Sequence, residues 1–265
     1  MSNLLSRLAV AAVGVPVVLG LLYLGDWWLF GLLCVAAAIS LHEYWLLARE
    51  QQPLTLAGYA GGLLALLGAE RGGVPWMLGG ALTAFVFAFV LKAISETRTE
   101  PTASISVTVM GSVWIGCGLA FMFLLRGLPE HGRLAAYTVL LAIWAGDTLA
   151  YAGGRALGRH RMAPSTSPGK TWEGFAFGTA ATVFVAFVAL YKAHFLSVSE
   201  SLVLGGVIAV AAPLGDLFES MLKRDAGVKD TGRLLGGHGG VLDRIDAILF
   251  AAPAAYFCIL AFGPR

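Results

Sequence analysis

Apolar residues run along this chain in blocks of about twenty, separated by short polar stretches, and they do not alternate. Arg7 to Leu24 is one such block and Val74 to Leu91 another. Each is long enough to cross a hydrocarbon core of about 30 Å. Lipid offers no hydrogen bonds, so blocks of this kind must be helical. A transmembrane barrel would need strands of about ten alternating residues, and none is legible. The pattern predicts an all-α, polytopic transmembrane protein of about nine spans: 6–24, 28–47, 55–70, 74–94, 105–125, 134–152, 174–194, 201–219 and 243–262. The third is short and glycine-rich. The first block is followed by Leu24-Gly25-Asp26-Trp27-Trp28, without a small-x-small cleavage site, and is expected to be a retained span. One polar linker, Ser95 to Ser104, interrupts the pattern, and neither a soluble domain nor a repeat is visible.

Composition agrees. Of 265 residues, 58% are apolar and 13% charged, against about a quarter charged in soluble domains; mean hydropathy is +0.78. This excludes an ordinary globular enzyme. A net charge of +2 is too small to argue for nucleic acid. Cys34, Cys117 and Cys258 stand in separate apolar runs, without metal or redox spacing. Orientation follows from the basic residues. With nine spans and a cytoplasmic N-terminus, 13 of the 18 Lys and Arg fall inside, and Arg71, Arg126, Arg133, Lys192 and Arg265 fall outside. The richest loops, 153–173 and 220–242, are separated by two spans and so face the same side, where one site can use both.

Charged residues inside apolar blocks point to chemistry. Glu43, Asp147 and Asp216 lie within or at the edge of spans. A charged carboxylate at mid-membrane costs about 2.5–3.5 kcal/mol on insertion scales, so each needs a partner. For Glu43, His42 and Arg49 are near, and bracing of helices is as good a reading as chemistry. Asp216, Glu219, Ser220 and Lys223 fall at i, i+3, i+4 and i+7, on one helix face. Asp243 and Asp246 are i, i+3 at the start of the last span; Asp147 and Tyr151 are i, i+4. Such carboxylates suit Mg²⁺, a hard ion that keeps waters for substrate phosphates. From spacing alone, salt bridges to Lys223, Arg224 and Arg244 are the better explanation.

Between these acids, Lys223 to Arg244 is basic and rich in glycine: Gly227, Gly232, Gly236, Gly237, Gly239 and Gly240. Glycine lets backbone N–H groups close around an anion, and Lys223, Arg224, Lys229 and Arg233 add charge. A basic loop could simply bind anionic lipid heads, but that leaves Asp230, Asp243 and Asp246 unexplained. A second segment, Ser165-Thr166-Ser167-Pro168-Gly169-Lys170-Thr171-Trp172-Glu173-Gly174, puts hydroxyls and a lysine before a new helix. Pro168 and Gly169 are expected to make its turn, and the helix N-terminus favours an anion. It reads as a phosphate contact or an interfacial cap. It lacks the first glycine of a Walker A loop. No activated-nucleophile pattern occurs. His238 is the one histidine in the candidate site, open as a turn residue, a proton donor or a phosphate contact, the last preferred.

The stretch Ser220-Met221-Leu222-Lys223-Arg224, Lys229-Asp230, Gly232, His238-Gly239-Gly240 and Asp243-Arg244-Ile245-Asp246, unbroken over 27 residues, resembles the signature of the phosphatidate cytidylyltransferase family. Trp144-Ala145-Gly146-Asp147 to Tyr151, Ser167 to Gly174, and Gly215-Asp216-Leu217-Phe218-Glu219-Ser220 are also similar to it, and His42-Glu43-Tyr44 matches a weaker feature. The likeness is strong over 140–250 and chiefly one of hydropathy before 130. Gly169 stands where some relatives have Lys, and Gly236 where many have Pro.

The resemblance implies a nine-span α-helical homodimer making CDP-diacylglycerol and pyrophosphate from CTP and phosphatidic acid; the compact, tail-free chain leads us to expect a bacterial inner membrane, and the asymmetry of Lys and Arg a site at its cytoplasmic face. Residues 1–130 would be scaffold spans with dimer contacts, and 131–265 the catalytic region. It implies Mg²⁺ on Asp216 and Asp243, with Asp147 and Glu219 as further ligands, and a second, monovalent cation such as K⁺. Lys170, Lys223 and Arg224 would hold the triphosphate, while Ser167 and Ser220 donate to phosphate. Lys229, Asp230, His238, Gly239, Gly240 and Arg244 would complete the substrate site, and Asp246 would orient the basic residues. A phosphomonoester is largely dianionic at neutral pH, its second pKa being about 6, so no strong general base is needed. The competing readings are an ion-coupled transporter, another lipid phosphotransferase, and a membrane scaffold. A transporter would put its charges nearer the midplane and show an inverted repeat.

Overall fold

The computed structural model describes residues 3–95, 100–193, 195–232, 234 and 239–263. The elements are α1 (Asn3–Leu24), α2 (Asp26–Leu47), α3 (Thr55–Ile94), α4 (Pro101–Gly111), a π-helical segment (Ser112–Cys117), α5 (Gly118–Arg126), α6 (Gly132–Leu157), β1 (Arg161–Ala163), β2 (Ser167–Thr171), α7 (Trp172–Lys192), α8 (Val198–Asp225) and α9 (Leu242–Ala261). Among the described residues, seven helices are long and apolar enough to cross a membrane, taking α4 to α5 as one. The protein is an integral membrane protein built almost wholly of helices. It divides into two compact units, Met1–Leu124 with Asp225–Ile245, and Leu125–Arg224 with Asp246–Arg265.

In the first unit, α3 is a helical hairpin. Its backbone leaves the helical region at Gly72 (φ −158°) and Gly73 (φ 67°, ψ −152°). A positive φ with extended ψ is open to glycine almost alone. Pro75 then starts the second arm, where its missing N–H costs little. The arms lie antiparallel at close range: a Cβ on Gly68 would strike the Trp76 carbonyl, and one on Gly61 the Ala84 side chain. The expected break between residues 70 and 74 is therefore a turn. Small hydroxyl residues join α4 to the chain around α3. Thr108 Oγ1 accepts from Leu54 N at 2.9 Å, while the Ser104 and Ser112 hydroxyls donate to Gln51 O (3.0 Å) and Gly58 O (2.9 Å). Hydrogen bonds of this kind substitute for the hydrophobic effect that lipid cannot supply. Tyr44 packs on Trp45 and Trp114, with centroids 5.1 and 5.9 Å apart.

In the second unit, α6 and α7 pack antiparallel through small residues four apart. Gly146, Ala150 and Gly154 of α6 face Gly174, Gly178 and Thr182 of α7, and the Thr182 hydroxyl donates to Ala142 O at 3.2 Å. This is small-xxx-small packing on both partners. A side chain at Gly146 would fall on Thr182 Oγ1. Gly146→Leu is expected to destabilise the protein by about 1–3 kcal/mol or more, read as a lowered Tm in detergent. Gly206, with open space beside it, should accept alanine without loss.

One expectation is corrected here. Pro168 and Gly169 do not make the turn before α7; they lie in β2, which pairs antiparallel with β1. The turn falls at residues 164–166. Pro168 is tolerated because a two-stranded ribbon has only edges, where a missing donor is harmless. The region is thus a β-hairpin, one element the helical reading did not contain.

Candidate active site

The second unit gathers charge where its hairpin meets α8. Lys170, on β2, places its ammonium 2.9 Å from Asp216 Oδ2 and donates to Pro213 O at 3.3 Å. Lysine's long stem lets it reach from the hairpin to the helix. One turn on, Ser220 donates to Asp216 Oδ1 at 3.3 Å. Lys223 pairs with Glu219 at 2.8 Å, and the Glu219 side chain is wholly buried. Both contacts are the i, i+4 pairs that the spacing on α8 predicts. Arg224 reaches back to the hairpin, with Nε donating to Thr166 O at 3.1 Å. The hairpin is thus tied to α8 at two points by the side chains expected to hold phosphate.

Asp246, on α9, belongs to the same cluster. It is buried, its Oδ1 accepts from Ala247 N at 2.8 Å, and the charges of Glu219 and Asp216 act on it. Gly215 permits this: a Cβ there would collide with the Asp246 carbonyl. Asp147 is exposed on α6 and lines a small cavity with Phe175, Thr179 and Pro213, so it borders the residue whose carbonyl takes Lys170. Ser167 pairs with Ala163 at the end of the hairpin. Tyr151, four residues beyond Asp147, accepts from Arg155 at 3.0 Å.

The segment before α7 supplies the helix cap that was one of its two expected readings. Thr171 caps the helix by accepting from Gly174 N at 3.1 Å. The Glu173 carboxylate accepts from Arg159 N (3.1 Å), His160 N (3.2 Å) and His160 Nδ1 (2.6 Å). It bridges the two ends of the hairpin.

The first unit holds a second cluster, in the loop before α9. Asp243 Oδ2 accepts from Thr231 N (2.9 Å), Thr231 Oγ1 (2.9 Å) and Gly240 N (2.8 Å). Thr231 and Gly240, on either side of the loop, are therefore both held on this carboxylate. Gly239 has φ +78°, and a Cβ there would lie 2.6 Å from Asp243 Oδ2. Lys229, Asp230 and Arg244 are exposed. Arg233, Gly236, Gly237 and His238 lie outside the described residues.

Glu43, for which bracing and chemistry were equally open, belongs to this cluster, as does Thr231, which was not among the expected site residues. Glu43 does not lean on His42 or Arg49. Its Oε1 accepts from Val241 N at 3.0 Å, and its Oε2 from Leu242 N at 2.7 Å and Thr231 Oγ1 at 3.2 Å. A signal was present in the sequence. Residues 39, 40, 46 and 47 are Ile, Ser, Leu and Leu, so Glu43 has no cation a turn away on its own helix and its partners had to come from elsewhere.

Both clusters offer oxygen donors. Mg²⁺ is commonly held by one or two carboxylates, with substrate phosphates and water completing the shell. Among the described residues no group of three or more His, Cys, Asp or Glu forms a cage. The donor set fits an ion shared with substrate.

The comparisons with known proteins bear on the whole chain. The cytidylyltransferase family matches residues 5–262. The phosphatidate cytidylyltransferase of Mycobacterium bovis is 33% identical over 272 aligned residues, covering 94% of this chain and 85% of its own. That of Synechocystis is 31% identical, covering 97% of each. That of Bacillus subtilis is 36% identical over 155 residues, 58% of each chain. The match runs through both units and takes in both charged clusters, so the chain belongs to the cytidylyltransferase family.

Proposed function

We propose that this protein makes CDP-diacylglycerol by transferring the cytidylyl group of CTP to phosphatidic acid, with the residues of its two clusters in the following roles. A phosphate oxygen of phosphatidic acid attacks the α-phosphorus of CTP. The bond from that phosphorus to the β-phosphate oxygen breaks, and pyrophosphate leaves. The main barrier is repulsion between two polyanions, so positioning and charge neutralisation are the terms to supply. Lys170 is the observation that carries this reading. Its ammonium, held on Asp216 and Pro213 O, is oriented before substrate arrives, and preorganised charge costs no rearrangement during reaction. Lys223 and Arg224 add positive charge on the same helix, with Ser167 and Ser220 as hydroxyl donors. Glu219 keeps Lys223 in place, and Asp246 would orient the basic residues.

Asp216 and Asp243 would hold Mg²⁺, which when bound neutralises triphosphate charge. Asp147, the monovalent ion and the contacts of Lys229, Asp230, His238 and Arg244 belong to the same proposal, on the strength of the family resemblance. We place the protein in a bacterial inner membrane as a homodimer of nine-span chains, N-terminus and site cytoplasmic; the asymmetry of Lys and Arg supports that orientation.

The test is to incubate purified protein with phosphatidic acid, labelled CTP and Mg²⁺. A lipid-soluble labelled product and free pyrophosphate are expected, both abolished in Asp216→Ala. Retained CTP binding without product would point to another lipid acceptor. Loss of both, in folded protein, would overturn the reading.

A further inference from the structure

Glu43 is a buried carboxylate, 4% exposed, and among the described residues it makes no salt bridge. Its charge is met instead by backbone N–H groups. Val241 N and Leu242 N lie at the very start of α9, where the first donors of a helix have no partner within it. A carboxylate there satisfies two of them and meets the positive end of the helix dipole. The same carboxylate touches the Thr231 hydroxyl. That hydroxyl has one proton, and its shorter contact, 2.9 Å against 3.2 Å, is to Asp243. So the Thr231 proton goes to Asp243, and the hold of Glu43 on this site runs through the Val241 and Leu242 amides.

Gly232 and Gly240 also lie close against Glu43. A Cβ on Gly232 would lie 2.5 Å from Oε1, and one on Gly240 would fall on Oε2 and on Thr231 Oγ1. Two glycines of the loop are therefore required for the carboxylate to sit beneath it. Glu43 reaches Thr231 and Leu242 across 188 and 199 residues of sequence, so α2 fixes where α9 begins.

We propose that Glu43 is a positioning residue for cytidylyl transfer: it anchors the start of α9 through the Val241 and Leu242 amides, and thereby sets the place of the Asp243 carboxylate that follows them. This rests on the reading of Asp243 as part of the active site. Glu43 touches no substrate in this scheme. Its effect is on the precision with which Asp243 is presented, and catalytic groups lose rate steeply when misplaced by about 1 Å.

The experiment compares Glu43→Ala, Glu43→Gln and Asp243→Ala in the full-length, detergent-purified protein. Three readouts are taken: kcat and KM for CTP, size-exclusion profile and Tm, and hydrogen exchange of the amides. Glu43→Ala is expected to lower kcat about a hundredfold with KM for CTP within a few-fold of wild type. Exchange should quicken at Val241 and Leu242, while amides of α6 and α7 keep their protection. Glu43→Gln keeps one oxygen acceptor and should recover part of the rate. Wild-type kcat in Glu43→Ala beside an inactive Asp243→Ala would overturn the positioning role alone. A loss of kcat that follows global loss of protection, without rescue by glutamine, would make Glu43 merely structural and also overturn it. An active Asp243→Ala would remove Asp243 from the site, and the proposal for Glu43 with it.

Discussion

Asp243→Ala is expected to lower cytidylyl transfer by at least about a thousandfold while the protein still inserts and runs as a single species in detergent. One oxygen of Asp243 collects three donors, two from backbone and one from a hydroxyl. A hydrogen bond to a charged group contributes about 1.5–3 kcal/mol, and each 1.36 kcal/mol lost in the transition state is tenfold in rate. Losing this set releases Thr231 and Gly240 and removes a proposed Mg²⁺ ligand at once. Asp243→Asn separates these effects. The amide retains an oxygen acceptor and nearly the same shape, so the loop should hold, but its negative charge is gone. If Asn is as inactive as Ala, charge is what matters; if it recovers most of the rate, loop geometry is. The measurement is product formation from labelled CTP, alongside proteolytic sensitivity of the loop. Near-normal turnover in Asp243→Ala would remove the residue from the site.

Lys170→Ala is expected to lower kcat/KM for CTP by about a hundredfold to a thousandfold. The lysine side chain is 22% exposed and Asp216 39%, so the pair is screened too much for its value to lie in stability. Under the proposed function its value lies in placing a cation where phosphate charge must be neutralised. Lys170→Arg should not restore activity, because the planar guanidinium cannot reproduce a point contact to Asp216 Oδ2 and Pro213 O together. The form of the defect is informative. A raised KM for CTP means that Lys170 acts on the triphosphate, while a fall in kcat alone means that it serves to orient Asp216. The double variant Lys170→Ala with Asp216→Ala should be little worse than the single ones if the two act as a unit, since residues in contact are not additive. Unchanged kcat/KM in Lys170→Ala would exclude it from the reaction.

The legibility of this protein in its sequence is uneven in a way particular residues explain. The pairs Asp216–Ser220 and Glu219–Lys223 could be foreseen because helical geometry alone puts i and i+4 together. The break within Thr55–Ile94 could be foreseen because Gly72, Gly73 and Pro75 have backbone preferences that act locally. The turn at residues 164–166 was misplaced to Pro168–Gly169. Proline and glycine mark turns only when no neighbouring strand claims them, and here β1 does. The role of Glu43 was undecided because hydropathy says only that a buried acid needs partners.

Sequence by itself determined that this is a helical membrane protein, which loops carry the charge, and which residues form the family's signature. Those follow from local properties: apolar length against bilayer thickness, helical spacing, and the obligation of backbone groups to be satisfied within the segment. Only the tertiary structure decided that Lys170 rests on Asp216 and Pro213, 43 residues beyond it at the carbonyl contact, and that Glu43 caps a helix beginning almost two hundred residues later. The partner of a buried charge is chosen by what packing brings within about 3 Å, and in a folded chain that choice is made by elements far apart in sequence.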